Sequence, residues 1–173
     1  MGKGREFYNR FLTRGIPVNT KDNGSDWIYG TLEIIEIMPS PIDIGHGAEE
    51  QNLYRINTRA KNSVADWGMA FSQEHIFVEY DSIGRYTQKD DINGVKIFEG
   101  DIVKFERHGY FYTGIVYFRE KLLQWCVEDT YSYIEDLYSA RQLEVIGNVY
   151  ESKDKLKEFK GLKELKGVVK WFI

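Results

Sequence analysis

The chain has 173 residues and a formal net charge of −4 at pH 7, with 12 Tyr, 10 Phe and 4 Trp against only 3 Pro. This length suits one domain, or two small ones, with a hydrophobic core. The surplus of aromatic residues over proline is typical of pleated sheets and not of disordered chains. The negative charge argues against a broad electrostatic affinity for nucleic acid, which depends on clustered Lys and Arg.

The N-terminal part begins with the pattern of a β-hairpin. Asn23-Gly24 predicts a tight turn, and the alternating segment "DWIYGTLEIIEI" (residues 26–37) predicts the strand that follows it, so we expect a hairpin from about residue 11 to residue 37. Along this strand Glu33 faces one side and Leu32 the other. After a proline-containing loop, "LYRINTRA" and "EHIFVEY" predict two more strands. We expect an N-terminal β subdomain over residues 1–83.

The C-terminal half carries the strongest turn signal, Asn93-Gly94. After it, "DIVKFERHGYFYTGIVYFRE" predicts two strands joined at His108-Gly109, and "LLQWCVED" predicts a third strand that includes Leu122 and Leu123. We interpret "YSYIEDLYSA" as a short helix or turn and "QLEVIGNVYE" as the last strand. So many short strands predict a small SH3-like curled barrel over residues 84–150, packed against the N-terminal subdomain.

The last segment, residues 151–173, carries seven Lys against four acidic residues, with apolar side chains spaced at threes. This spacing predicts a basic helix. The predicted fold class is therefore mainly β with a little α.

The location of the protein is suggested by its single cysteine, Cys126, which excludes an intrachain disulfide and is typical of a reducing compartment. It lies within a predicted strand, so we expect a buried core thiol and not a nucleophile. No segment is long and apolar enough to span a membrane, and the N-terminus lacks the apolar segment of a signal peptide. We expect a cytoplasmic protein that does not bind membranes.

Two carboxylates, Glu99 and Asp101, flank Gly100 in an otherwise apolar run. Paired carboxyl groups can act as the general acid and base of a hydrolase. Asp side chains in turns also accept hydrogen bonds from backbone N–H groups, and this second interpretation is favoured. We expect the following residues to form turns: Asn93, Gly94, Glu99, Gly100 and Asp101.

Other catalytic or metal-binding patterns are missing from the sequence. His46, His75 and His108 are scattered, without the spacing of a zinc site. Neither a phosphate-binding G-x-x-x-x-G-K-[ST] loop nor a G-x-S-x-G nucleophile motif is present. We expect no enzymatic activity, no cofactor, no metal and no small-molecule substrate.

The remaining candidate is the aromatic run Tyr110, Phe111 and Tyr112, which follows the predicted turn. Neighbours on a strand face opposite sides, so at least one of these rings points away from the core. Beside Arg107 it could anchor a protein contact or stack on a nucleic-acid base. In the basic segment, Lys163 and Lys166 are candidate phosphate contacts.

Three hypotheses about function follow, in order of preference. The first is a non-enzymatic module for protein interaction or self-association, most simply as a homo-oligomer. The second is a nucleic-acid-binding β-barrel that uses the exposed aromatics and the basic end. The third is a hydrolase that uses Glu99 and Asp101.

Three segments of the chain, in the same order, resemble the YopX family of phage and prophage proteins: "KDNGSDWIYGTL", "IGRYTQKDDINGVKIFEGDIVKF" and "LEVIGNVYE". The family typically shows N-G-x-W-V-Y-G, then G-Q-Y-T-G-x-x-D-x-N-G-x-x-I-Y-E-G-D-I, and finally V-I-G-N-I-Y-E. This chain has Arg85 where Gln is usual and Gln88 where Gly is usual, and Ser25 interrupts the first segment. The resemblance implies a mostly β, two-part fold and a phage or prophage protein in a bacterial host, and it brings no catalytic residues.

Overall fold

The computed structural model describes residues 12–18, 27–37, 51–59 and 73–151. Within these residues the chain is mostly β-strand with two single-turn 3₁₀ helices, Tyr80–Ser82 and Glu120–Leu122, so the mainly β class is confirmed. The strands are β1 (Leu12–Gly15), β2 (Ile28–Ile37), β3 (Gln51–Arg59), β4 (Gln73–Phe77), β5 (Gly84–Asp90), β6 (Lys96–Phe98), β7 (Asp101–Arg107), β8 (Tyr110–Arg119), β9 (Gln124–Asp129), β10 (Ile134–Asp136) and β11 (Arg141–Asn148). The chain divides into two compact units, Met1–Ile83 and Gly84–Ile173.

Several predictions fall outside the described residues. These are the helix over the basic C-terminal segment, the Asn23-Gly24 turn, the proline-containing loop with His46, and the candidate phosphate contacts Lys163 and Lys166. No helix among the residues that are described has the length and apolar character needed to cross a membrane.

The N-terminal unit is built on the antiparallel strands β1 to β4, each paired with the next along the chain. The predicted pairing of β1 with β2 is present, with Gly15 opposite Ile28. The predicted alternation of β2 is also present. Leu32 lies opposite Ile56 on the side that packs into the core, and Glu33 lies opposite Arg55 on the other side.

The C-terminal unit combines the β5–β6 hairpin with a five-stranded antiparallel sheet in the order β10-β9-β8-β7-β11. Its core is formed by the buried side chains of Ile97, Val103, Phe105, Val116, Val127, Leu137, Ala140 and Leu143. The sheet is open, because β10 and β11 are its two edges. Beside β11, the Ile92 N–H donates to the Leu143 carbonyl and the Val145 N–H donates to the Asp91 carboxylate. These bonds connect β11 to the β5–β6 turn and not to β10, so closure into an SH3-like barrel is not confirmed.

Two segments differ from the sequence expectations. In "YSYIEDLYSA" the strand β10 precedes a turn, in which the Asp136 carboxylate accepts the Tyr138 N–H at 2.9 Å. In "LLQWCVED" the strand begins only at Gln124. Leu122 ends a 3₁₀ turn, and Leu123 adopts the left-handed conformation that returns the chain into β9. The leucines are therefore part of the β8–β9 connection and not of a strand.

Candidate functional site

The corner between β6 and β7 contains the two carboxylates that the sequence singled out. Gly100 has φ +80°, a backbone conformation that favours glycine. The buried carboxylate of Asp101 accepts the Phe98 N–H at 2.7 Å. The Glu99 carboxylate accepts hydrogen bonds from Nε and Nη2 of Arg85 at 2.9 and 3.3 Å. Because both carboxylates bond within the chain, this geometry favours a turn-forming role over an acid/base pair.

We expect Asp101→Asn to lower the free energy of unfolding by about 1 kcal/mol, because a neutral amide replaces a charged acceptor of a buried N–H. Thermal and urea denaturation measure this loss. Glu99→Gln serves as a comparison because its partner Arg85 is half-exposed, and its effect should be smaller. An unchanged melting temperature for Asp101→Asn would contradict the turn-forming role.

The Asn93-Gly94 turn is organised by a residue that the sequence analysis did not single out. The Asp91 carboxylate accepts the N–H groups of Asn93 and Val95 at 2.8 and 2.9 Å and that of Val145 on β11 at 3.0 Å. Burial by itself would raise the pKa of Asp91, but these N–H donors hold it below its usual value. An Asp two residues before Asn-Gly is the local signal that could have revealed it.

One end of the C-terminal sheet gathers aromatic side chains from the β7–β8 hairpin and from the turn after β9. We call this group the aromatic end: Arg107, Tyr110, Tyr112, Tyr131 and Tyr133. The turn at His108-Gly109 places Tyr110 opposite Arg107, and Tyr112 lies opposite Phe105 and packs against the core. Tyr131 is 80% exposed and Tyr110 71% exposed.

Arg107 is held in place within the aromatic end. Its guanidinium carbon lies 4.1 Å from the ring centroid of Tyr112 and 4.2 Å from that of Tyr133, both in the range of cation–π contacts. Its Nη2 donates to the buried carboxylate of Asp129 at 2.9 Å. Burial by itself would lower the pKa of Arg107, but the hydrogen bond to Asp129 raises it above its usual value.

Asp129 also shapes the adjoining turn. Its other carboxylate oxygen accepts the N–H groups of Tyr131 and Tyr133 at 2.8 and 3.0 Å. One buried carboxylate thus fixes both the turn that presents the two tyrosines and the guanidinium beside them. Asp129, Tyr131 and Tyr133 were not among the candidates predicted from the sequence, although Asp before "TYSY" is a turn signal.

The other sequence candidates lie elsewhere. Phe111 is exposed on the opposite face of β8, where Nζ of Lys104 lies 4.6 Å from its ring centroid. The aromatic run is therefore divided between two faces. His75, on β4, shares a hydrogen bond with the Asn57 side chain. Cys126 is buried, and burial raises the pKa of its thiol. Across the described part of the chain, no group of three or more His, Cys, Asp or Glu could hold a metal ion.

A separate polar cluster lies on the solvent side of β2 and β3. Nε and Nη2 of Arg55 each donate to the Glu33 carboxylate at 2.9 Å, and Nδ2 of Asn57 donates to it at 2.8 Å. The hydrogen bonds from Arg55, and then those from Asn57, lower the pKa of Glu33 from 4.5 to about 2. Alternation placed Glu33 on this face, but only the β2–β3 register brings Arg55 opposite it.

Because the pKa of Glu33 is lowered in the folded state, we expect the protein to lose stability at acid pH. Its ionised form is favoured in the folded state, so its contribution is complete above pH 4.5 and is lost as the pH falls toward 2. An NMR titration of the Glu33 carboxyl carbon in the wild type and in Arg55→Met measures the pKa directly. We expect the substitution to raise it toward 4.5, and a wild-type Glu33 that already titrates near 4.5 would contradict the contact.

Comparison with known proteins identifies the family of this chain. The family model described as YopX protein matches residues 48–157, which is well over half of the chain. The chain belongs to the YopX family. No curated protein sequence matches it. The matched segment of this YopX protein runs from β3 to β11 and includes the aromatic end.

The YopX sequence pattern corresponds in this protein to turn geometry. Gly94 and Gly100 both have positive φ. Asp101 accepts a backbone N–H at the β6–β7 corner. After β11, the Asn148 side-chain oxygen accepts the N–H groups of Tyr150 and Glu151, each at 2.9 Å. The side chains that identify the family thus help to build the fold.

Gln88, where the family pattern has Gly, has φ +65° at a break in the β5–β6 register. We expect Gln88→Gly to raise the free energy of unfolding by about 1 kcal/mol, because glycine adopts this conformation without strain. Urea denaturation of Gln88→Gly and Gln88→Ala measures the effect. Ala keeps the strain and should resemble the wild type, and a Gly variant less stable than the Ala variant would refute the strain.

Proposed function

We propose that this YopX protein is a non-enzymatic binding module that docks on a protein partner through the aromatic end. The observation that carries the proposal is a set of exposed tyrosines, with Tyr131 and Tyr110 mostly exposed and Tyr133 held against Arg107. Tyr and Arg are enriched among the residues that dominate binding energy at protein interfaces. Because Asp129 already fixes the backbone of the turn and the guanidinium, these parts lose little conformational entropy on binding.

The local charge favours a protein over a nucleic acid as the partner. Arg107 is paired with Asp129, which cancels its charge. Glu106, Glu128 and Lys104 are the charged residues next to this pair along the strands, but by alternation they lie on the opposite face of the sheet and add no cation to the aromatic end. A surface for nucleic acid depends on clustered cations that replace the counterions of the phosphates.

Nucleic-acid binding is the second candidate, supported by exposed Phe111 beside Lys104 and by the basic segment with Lys163 and Lys166. In this case the affinity for a fluorescent single-stranded oligonucleotide should fall steeply with salt, and deletion of residues 152–173 should reduce that slope. Lack of binding at low salt would exclude this candidate.

We also propose that the C-terminal unit is a curled sheet of the SH3-like kind. The consecutive pairing of β7 to β10 and the return of β11 to pair with β7 support this description. The resemblance to phage and prophage proteins supports an origin in such an element. Together with the single cysteine, it also supports a role in the cytoplasm of a bacterial host.

The docking proposal is tested by retention of proteins from a nuclease-treated bacterial extract on the immobilised chain. The end variant is Tyr131→Ser with Tyr133→Ser. The control variant is Ile92→Ser with Val95→Ser, which removes exposed apolar side chains from the β5–β6 turn. We expect the wild type and the control variant to retain the same protein species and the end variant to lose them. Equal retention by the end variant would overturn the proposal, and circular dichroism confirms that each variant is folded.

A further inference from the structure

The turn between β5 and β6 exposes a pair of residues that can react with each other. Asn93 and Gly94 are both exposed, and no atom lies within 4 Å of a Cβ added at Gly94. The backbone nitrogen of a residue that follows asparagine can attack the asparagine side chain, and glycine hinders this attack least because it has no side chain. The other asparagines in the described part of the chain all precede larger residues, and these are Asn52, Asn57 and Asn148.

We infer that Asn93 is a site of spontaneous covalent modification, at which asparagine is converted to isoaspartate and aspartate. The Gly94 nitrogen loses its proton and bonds to Cγ of Asn93, and Nδ2 leaves as ammonia, so that a succinimide ring forms. Water then opens the ring at either of its carbonyl carbons, which yields aspartate or isoaspartate. The net reaction consumes water and releases ammonia, so water is the only co-reactant.

Asp91 determines how often the turn reaches the reactive geometry. Its carboxylate accepts the backbone N–H of Asn93 at 2.8 Å and a further hydrogen bond from the Asn93 side chain. Its carbonyl accepts the Gly94 N–H at 3.1 Å, so the attacking nitrogen is itself engaged in the folded turn. The bonds of the Asn93 side chain and of the Gly94 N–H must break before the nitrogen meets the amide carbon. The reaction therefore proceeds through a locally open turn, and Asp91 opposes this opening.

The modification changes the turn where it is joined to β11. In this joint the Ile92 N–H donates to the Leu143 carbonyl at 2.9 Å, and the Val145 N–H donates to the Asp91 carboxylate at 3.0 Å. Isoaspartate adds a carbon to the main chain of the turn and a negative charge beside the Asp91 carboxylate. The added carbon displaces the turn, and the two like charges repel each other. We expect the isoaspartate form to melt at a lower temperature than the unmodified protein.

Peptide mapping of the aged, full-length protein by mass spectrometry tests the inference. Cleavage after Lys and Arg places Asn93 in the peptide DDINGVK (residues 90–96) and Asn148 in QLEVIGNVYESK (residues 142–153). Asn148 is the internal control because a larger residue follows it, and Asn23 falls in a third peptide and is counted separately. We expect the first peptide to divide over time into aspartate and isoaspartate forms, which electron-transfer fragmentation distinguishes, while Asn148 keeps its amide.

Two substitutions and a denatured sample test the control by Asp91. The full chain in concentrated urea gives the rate without the turn, and the folded wild type should react about tenfold more slowly, because hydrogen bonds to a charged group oppose opening. Folded Asp91→Ala should recover most of this factor. Asp91→Asn keeps an oxygen acceptor without the charge and should react at an intermediate rate. Circular dichroism confirms that each variant is folded, and Asp91→Asn carries the test if Asp91→Ala does not fold.

Three results would overturn the inference. In the first, Asn93 of the folded wild type stays as intact as Asn148 while the denatured chain reacts completely. In the second, the folded and denatured chains react at Asn93 at the same rate, or Asp91→Asn reacts no faster than the folded wild type. In the third, the isoaspartate form, isolated by ion exchange, melts at the temperature of the fresh protein.

Discussion

Asp129→Ala is expected to lower the free energy of unfolding by about 3–5 kcal/mol, because one partner of a buried ion pair is removed. The substitution leaves the guanidinium of Arg107 without its acceptor and deprives the N–H groups of Tyr131 and Tyr133 of theirs. Urea denaturation with a full transition measures the loss, and the m-value shows whether unfolding remains two-state.

Asp136→Ala provides the control for Asp129→Ala. Asp136 accepts the Tyr138 N–H in a similar turn, but this hydrogen bond is exposed, whereas the carboxylate of Asp129 is buried. Its loss should cost about 1 kcal/mol. A result in which Asp129→Ala costs no more than Asp136→Ala would contradict the central position of Asp129 in the aromatic end.

Gly114→Ala is expected to cost about 3 kcal/mol. An added Cβ would lie 2.5 Å from Cγ2 of Val127 and 2.8 Å from the backbone oxygen of Glu128. Neither atom can withdraw easily, since both belong to the neighbouring strand β9. Thermal and urea denaturation of the purified variant measure the loss.

Gly109→Ala is the matched glycine control. Gly109 has φ +81°, but no atom lies within 4 Å of its added Cβ, so only backbone strain of about 1 kcal/mol is expected. If the two glycine variants lost the same free energy of unfolding, this would contradict the close approach of β8 and β9 at Gly114.

Local sequence patterns predicted much of the strand structure. The alternation that placed Leu32 inward and Glu33 outward depends only on the two-residue period of a strand. The reversal at His108-Gly109 depends on residues that tolerate positive φ, and both have it in the structure. Such features are encoded within a few neighbouring residues and can be read without knowledge of the tertiary structure.

The aromatic end could not be derived in the same way. The contact of Arg107 with Asp129 joins residues 22 positions apart and depends on the registers of β7, β8 and β9. Leu122 and Leu123 were wrongly assigned to a strand because "LLQWCV" alternates as a strand would, whereas Leu123 turns into the left-handed region. In both cases the tertiary structure, and not the local sequence pattern, determined where these residues lie.

The family signature and the candidate site occupy different residues. Gly94, Gly100 and Asp101 build turns, and the proposed contacts are made by Tyr131 and Tyr133. Recognition of the YopX pattern therefore identifies the fold, and the proposed binding depends on side chains that this pattern does not specify.

Photo-crosslinking at the aromatic end is the most direct test of the docking proposal. A benzophenone amino acid is placed at Tyr131 in one sample and at Ile92, an exposed control position outside the aromatic end, in another. We predict crosslinked protein from position 131 and none from position 92. Absence of crosslinks from position 131, or the same products from both positions, would contradict the account.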